Sequence, residues 1–136
     1  AVPFFAEIIK HIECPMEIDF LDVSSYSGVN STGKVVIKRD VTTDLTNRHV
    51  VFVEDIIDTG LTLSEVIKEF KKRDIASYEV VTLVDKPEGR TVNDVQPKYI
   101  GFNIPNKFVV GFGLDYNELY RNLPYIGVLK KEVYSK

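Results

Sequence analysis

One cysteine, Cys14, in 136 residues excludes an internal disulfide framework. It reads as a small, partly buried hydrophobe in a chain kept reduced, so the cytoplasm is the compartment expected. Net charge is also scarce: 17 Lys and Arg against 20 Asp and Glu give −3, no general reason to expect nucleic acid as a partner. No apolar stretch approaches the roughly 20 residues of a membrane span. The opening AVPFFAEIIKHI has no basic n-region and too short an apolar run for a signal peptide. Repeats, low-complexity tracts and a GxxxxGKS or GxxxxGKT phosphate loop are all lacking. What is present suits a globular protein: 44% hydrophobic and 27% charged residues, with length enough for one domain over 1–136 to bury a core.

The most informative stretch is 50–70, VVFVEDIIDTGLTLSEVIKEF. Val50, Val51, Phe52 and Val53 form a continuous apolar run, which suits a strand buried on both faces of a parallel sheet. Adjacent carboxylates follow at Glu54 and Asp55, then Ile56 and Ile57, then a polar turn of Asp58, Thr59, Gly60, Leu61 and Thr62. Leu63, Val66, Ile67 and Phe70 recur at i, i+3, i+4 and i+7, one apolar stripe of a helix. Lys71, Lys72 and Arg73 close that helix, where cations suit the negative end of the dipole. A strand, a Gly-containing turn and a helix start make an anion site, because free N–H groups point out of the turn. Gly60 permits close backbone approach, and Thr59 and Thr62 add hydroxyl donors. The acidity of this turn is unusual, since carboxylates repel a phosphate unless something else is bound. They do suit sugar hydroxyls and a hard cation such as Mg2+ that also binds phosphate. The ligand implied is a sugar phosphate carrying further phosphate and a metal.

Elsewhere, 3–12 predicts a helix with Phe4, Phe5, Ile8, Ile9 and Ile12 on one side, Pro3 in its first turn and His11 on the surface. Residues 16–23, MEIDFLDV, alternate apolar and acidic and predict a strand with one exposed face. Residues 24–33, SSYSGVNSTG, predict a loop, and 34–38 a strand that completes a long hairpin. His49 reads as a strand-edge residue at the entry to the central strand. Beyond the helix, 78–84 (YEVVTLV) is another apolar strand, so strand–helix–strand implies a parallel unit. DKPEGR, 85–90, follows at its carboxyl end. Short strands are predicted at 99–104, 108–113 and 126–129, with a loop or helical turn at 114–121. The class is α/β with a largely parallel sheet. Ligands of such sheets sit beyond the carboxyl ends of the strands, where Glu54, Asp55, Asp58, Lys86 and 113–115 would gather.

VVFVEDIIDTGLT resembles the phosphoribosyl-pyrophosphate signature of the purine phosphoribosyltransferases, and its form EDIIDTG resembles the hypoxanthine-guanine branch. KFVVGFGLDYNELYR, 107–121, resembles the base-binding segment of that branch, and the resemblance extends over essentially the whole chain. It implies the type I phosphoribosyltransferase fold, with a twisted sheet flanked by helices and a mobile loop near 24–33. It also implies Mg2+-dependent transfer of a 5-phosphoribosyl group from phosphoribosyl pyrophosphate to N9 of hypoxanthine or guanine, giving IMP or GMP and pyrophosphate. Homodimers or homotetramers are expected; preference among hypoxanthine, guanine and xanthine is left open.

The same resemblance assigns roles. Asp58, Thr59, Gly60, Leu61 and Thr62 hold the 5′-phosphate, and Asp58 exchanges a proton with the purine. Glu54 and Asp55 meet the ribose hydroxyls and, with Asp115, the metal. Lys86 in LVDKP meets O6 of a 6-oxopurine; apart from the resemblance, Asp85 stands next to it in the sequence and is expected to orient or partly neutralise it. Phe108 stacks on the base, Val109 contacts its ring-edge groups through the backbone, Asp115 lies by base or metal, and Arg121 helps hold pyrophosphate. Ser25 and Tyr26 belong to a mobile loop that closes over the substrates. An aromatic face suits a purine and a guanidinium suits a phosphate oxyanion. The family's Leu-Lys-Gly pyrophosphate loop has no counterpart, because AVPFFA resembles the helix after it; a truncated form of a longer enzyme is expected. The competing readings are a non-catalytic nucleotide-binding regulator and a core that binds but turns over poorly. Phe108, Asp115 and Arg121 beside Lys86 favour an enzyme.

Overall fold

The computed structural model describes residues 1–25 and 34–135. Helix α1 (Val2–Ile8) has Pro3 in its first turn and tightens into a 3-10 turn at Ile9–His11, a helix slightly shorter than 3–12. Strands β1 (Asp22–Ser25) and β2 (Val35–Arg39) form the antiparallel hairpin, pairing Val23 with Ile37 and Ser25 with Val35. The predicted strand at 16–23 is paired only from Asp22 onward. The cause is Asp19, whose carboxylate accepts the backbone N–H groups of Phe20, Thr42 and Thr43 at 2.7–3.0 Å. Those donors hold its carboxyl far below the usual carboxylate range, and a side chain rather than a ladder anchors the segment.

The main sheet contains β3 (His49–Ile57), β4 (Ser77–Asp85) and β5 (Tyr99–Asn103), all parallel and in the order β3-β4-β5. The expectation for 50–53 needs correction twice. The strand runs four residues further, through Glu54, Asp55, Ile56 and Ile57. Among the described residues it is also an edge strand, with Val51 56% exposed. The central strand is β4, where Val80, Val81, Thr82, Val84 and Asp85 are all buried.

Helix α2 (Leu61–Lys71) joins β3 to β4, and its stripe Leu63, Val66, Ile67 and Phe70 is buried as the spacing predicts. Ile57, Leu63, Ile67, Val80 and Val95 make the core cluster, flanked by Phe52, Tyr78 and Val92. Burying each such side chain stabilises by about 1.5–3 kcal/mol. Phe52 meets Phe70 edge-on at 5.1 Å, and the Arg73 guanidinium covers Phe70 at 4.5 Å.

A smaller antiparallel pair, β6 (Val109–Val110) and β7 (Gly127–Val128), carries the 107–121 segment; it is shorter than the strands predicted there. Helix α3 (Lys131–Tyr134) follows. Register places Ile57, Asp85 and Asn103 side by side at the carboxyl ends of the three parallel strands. Lys86 N–H donates to Ile57 C=O and Ile104 N–H to Asp85 C=O, both at 2.9 Å, so the chain leaves all three strands at one edge.

Candidate active site

The corner between β3 and α2 is shaped by Gly60. It is buried, has φ of 80° and precedes the helix with no side-chain cap. A Cβ there would meet Val92 Cγ2 at 2.9 Å and Arg90 Cδ at 3.0 Å, so any L side chain is excluded twice over. Ser64 N–H closes the first helical bond to Gly60 C=O at 2.9 Å. The N–H groups ahead of it are left for an anion, apart from a long 3.4 Å contact of Leu61 N–H with Thr59 Oγ1.

A cleft of about 260 Å³ opens at this corner, lined by Glu54, Asp58, Thr59, Gly60 and Thr62, with Val23 reaching in from β1. A larger hollow of about 450 Å³ runs along 17–23 and β3, and it touches the corner only through Val23, Glu54, Thr62 and Leu63. The smaller cleft is the one lined by the corner's own Asp58, Thr59 and Gly60, which the larger hollow does not reach.

Successive strand residues face opposite sides of a sheet. Glu54 therefore lines the cleft while Asp55 turns from it and accepts Ile56 N–H at 2.8 Å. Burial, and then the charge of Asp55, push the Glu54 carboxyl up to about 7. Asp58 is 48% exposed, and its Oδ2 lies 3.6 Å from the ammonium of Lys86, a side chain only 8% exposed. Behind Asp58, the 3-10 turn Pro87–Gly89 presses Gly89 against Asp58 Oδ1.

Asp85, expected to orient or neutralise Lys86, is instead paired with Arg90. Sequence reasoning gave Arg90 no role, yet it donates to Asp85 Oδ1, to Val95 C=O at 2.7 Å and to Asp58 C=O at 3.2 Å. The available signal was a cation five residues after a buried carboxylate at a strand's carboxyl end. Val23 and Gly89 were missed too, and nothing local marks them.

Phe108 belongs to a second cluster. Tyr134 stacks on its ring at 5.2 Å and Tyr116 meets it edge-on at 5.6 Å, while 37% of the residue stays exposed. Val109 is buried. Asp115 accepts Glu118 N–H at 2.8 Å and lies 3.3 Å from Arg121, which also donates to Gly113 C=O at 2.8 Å. The clusters are joined where Asn106 N–H donates to Glu88 in the turn after Lys86, at 3.3 Å. Ser25 ends β1, and Tyr26 lies outside the described residues.

Among the described residues no three of His, Cys, Asp and Glu are grouped to hold a metal ion, so Glu54, Asp55 and Asp115 do not form a ready-made cage. Mg2+ does not require one, since it is held through one or two carboxylates together with substrate phosphates and water.

Comparison with known proteins agrees with this architecture. The phosphoribosyl transferase domain family matches residues 1–117. The hypoxanthine-guanine phosphoribosyltransferase of Streptococcus pneumoniae strain R6 is 59% identical over 136 residues, spanning 99% of this chain and 75% of that protein. Its counterpart from Lactococcus lactis is 58% identical over 137 residues, spanning 100% of this chain and 74% of that one. A crystal structure of a hypoxanthine phosphoribosyltransferase from Staphylococcus aureus superposes with a TM-score of 0.95 at 50% identity, over 99% of this chain and 73% of that one. With its parallel sheet, its glycine corner and these relatives, the chain belongs to the phosphoribosyltransferase family, in the hypoxanthine-guanine branch.

Proposed function

We propose that the chain, acting as a single domain in the cytoplasm, transfers a 5-phosphoribosyl group from phosphoribosyl pyrophosphate to N9 of hypoxanthine or guanine. The observation that carries this reading is the Asp58–Lys86 pair, an acceptor and a cationic donor 3.6 Å apart at the carboxyl edge of the sheet. A 6-oxopurine presents O6 and N7 side by side on one edge. Lys86 donates to O6 while Asp58 takes the proton from N7. N9 bonds to ribose C1′ as the bond from C1′ to pyrophosphate breaks; the electron pair leaves on pyrophosphate and the proton ends on Asp58. Adenine would set an amine against the ammonium and is rejected.

The 5′-phosphate sits on the uncapped amides at 60–62 with the hydroxyls of Thr59 and Thr62. Glu54, in the same cleft, accepts from a ribose hydroxyl. Phe108, backed by Tyr134, offers a ring face to the base, and Arg121 offers a guanidinium to pyrophosphate. Magnesium, when bound with pyrophosphate, would neutralise the leaving charge; Glu54 would hold it from the cleft, with Asp55 and Asp115 meeting it through water. A homodimer or homotetramer would cover Tyr99 and Phe102, exposed on the outer strand β5.

A steady-state assay with hypoxanthine, phosphoribosyl pyrophosphate and Mg2+ tests the reaction, and no turnover would leave the nucleotide-binding regulator as the better reading. Asp58→Asn tests the proton transfer. We expect kcat to fall by about 10²-fold or more while the hypoxanthine KM moves less than about threefold. Equal losses in both would reduce Asp58 to a ligand-positioning group.

A further inference from the structure

Arg90 lies in the loop after β4, outside the cleft, yet its side chain bonds to three separate parts of the site's framework. Its side chain is 12% exposed and that of Asp85 7%. Its three guanidinium nitrogens each donate to a different place: the Asp85 carboxylate, Val95 C=O and Asp58 C=O. Its Cδ also fills the space over Gly60, 3.0 Å from where a Cβ would stand. One guanidinium thus fastens the phosphate corner to the 86–95 loop, helped by Thr91 N–H donating to Thr59 C=O at 3.0 Å.

The pairing with Asp85 has a second effect. Asp85 is buried and is the immediate neighbour of Lys86. Unpaired, a buried carboxylate beside a buried ammonium would draw that ammonium to itself, since an isolated charge there is costly. With Arg90 on Asp85, the ammonium of Lys86 faces Asp58. We propose that Arg90 is a positioning residue for base selection: it tethers the backbone of Asp58 and occupies Asp85, so that Asp58 and Lys86 face the purine edge together. This rests on the reaction proposed above for its kinetic readout, but not for its structural one.

The experiment compares Arg90→Met, Asp85→Asn and the double variant with the starting chain. Hydrogen–deuterium exchange of residues 58–62 is measured without ligand, and hypoxanthine kinetics at saturating phosphoribosyl pyrophosphate. In Arg90→Met, exchange at 58–62 rises and kcat/KM for hypoxanthine falls by about 10²-fold, the scale of an ångström's misplacement. In the double variant no charged carboxylate competes for Lys86, so the hypoxanthine KM returns to within about fivefold of the starting value, whereas exchange at 58–62 stays raised. Arg90→Lys keeps the charge but not the three-way fork, and does not restore protection. Unchanged exchange at 58–62 in Arg90→Met overturns the proposal, as does a double variant whose KM is as poor as that of the single. Should Arg90→Met fail to fold, the double variant against Asp85→Asn gives the exchange reading, and unchanged exchange at 58–62 between those two overturns the proposal. A starting chain without transfer activity counts against the proposed reaction, and exchange alone then decides the role of Arg90.

Discussion

Gly89→Ala separates the chemistry of the corner from its stability. Gly89 ends the 3-10 turn after Lys86 with an ordinary backbone conformation, so alanine meets no backbone strain there. An added Cβ would overlap Asp58 Oδ1 and stand 3.2 Å from Asp58 Cγ. Something must move, and the Asp58 carboxylate is free to do so because it is 48% exposed. Forcing it off its rotamer costs about 0.5–1.5 kcal/mol. Losing its contact with Lys86 costs up to about 1 kcal/mol, since half of the pair is solvated. Against this, Gly→Ala at a compatible backbone stabilises by about 0.4–1 kcal/mol through the unfolded chain. The net loss is about 1 kcal/mol, roughly 4 °C in Tm.

Activity responds on another scale. A proton acceptor swung away from N7 forfeits about 10²–10⁴-fold in kcat. Steady-state kinetics beside a thermal melt reads both quantities on one preparation. The control is Asp58→Asn with Gly89→Ala, which should lose no more than Asp58→Asn alone, because both changes remove the same group. A Gly89→Ala protein with kcat within about threefold of the starting chain refutes the reasoning, because it would show that the observed position of Asp58 is not the working one.

Three further outcomes follow from the same geometry. Lys86→Ala should weaken hypoxanthine use selectively in competition with adenine; an unchanged preference would remove Lys86 from base selection. The folded-state pKa of Glu54 is raised from an ordinary 4.5 to about 7, so stability present below the lower value is lost as pH rises through the upper one. Glu54→Gln should therefore raise Tm at about pH 8 and leave it unchanged at about pH 4 in magnesium-free buffer, and a gain at both values would point to packing instead of charge. Phe70→Ala, at a residue 2% exposed against Phe52, should cost about 3–5 kcal/mol in urea unfolding, and a loss under about 1 kcal/mol would deny the packing of α2 on the sheet.

The parts legible in the sequence are those whose cause is local. Leu63, Val66, Ile67 and Phe70 declare a buried helix face because 3.6-residue periodicity is a property of the segment itself. The Gly60 corner is legible for a similar reason, since a strand, a left-handed glycine and a helix start are consecutive. The extent of β3 was not legible. Glu54 and Asp55 end the apolar run that marks the strand, but parallel pairing of Glu54 with Thr82 and Ile57 with Asp85 carries the strand through them. The alternation at 16–23 promised a strand, yet a strand needs a partner, and the Asp19 carboxylate ties this segment to the amides of Thr42 and Thr43 instead of a ladder. Arg90 was silent because Asp58, Asp85 and Val95 meet it only after the 86–95 loop has docked on the corner.

That docking also answers a question the sequence raised without resolving: how an acidic corner receives an anion. The carboxylates do not act as a single negative field. Asp85 is neutralised by Arg90 inside the fold, and Asp58 stands against the ammonium of Lys86. Asp55 turns from the cleft that Glu54 lines, and burial raises the Glu54 carboxyl to about 7, so it holds a proton more readily than a surface carboxylate. What a phosphate meets first is therefore the positive end of α2, with its uncapped amides, rather than a charge of its own sign. The acidity stays available at closer range, where hydroxyls and a purine proton need acceptors. Removing either cation should expose the phosphate to a carboxylate that is now shielded. Lys86→Ala and Arg90→Met should then each weaken binding of the sugar phosphate as well as the base, more so at low ionic strength than at high, because only the unscreened part of the repulsion is released.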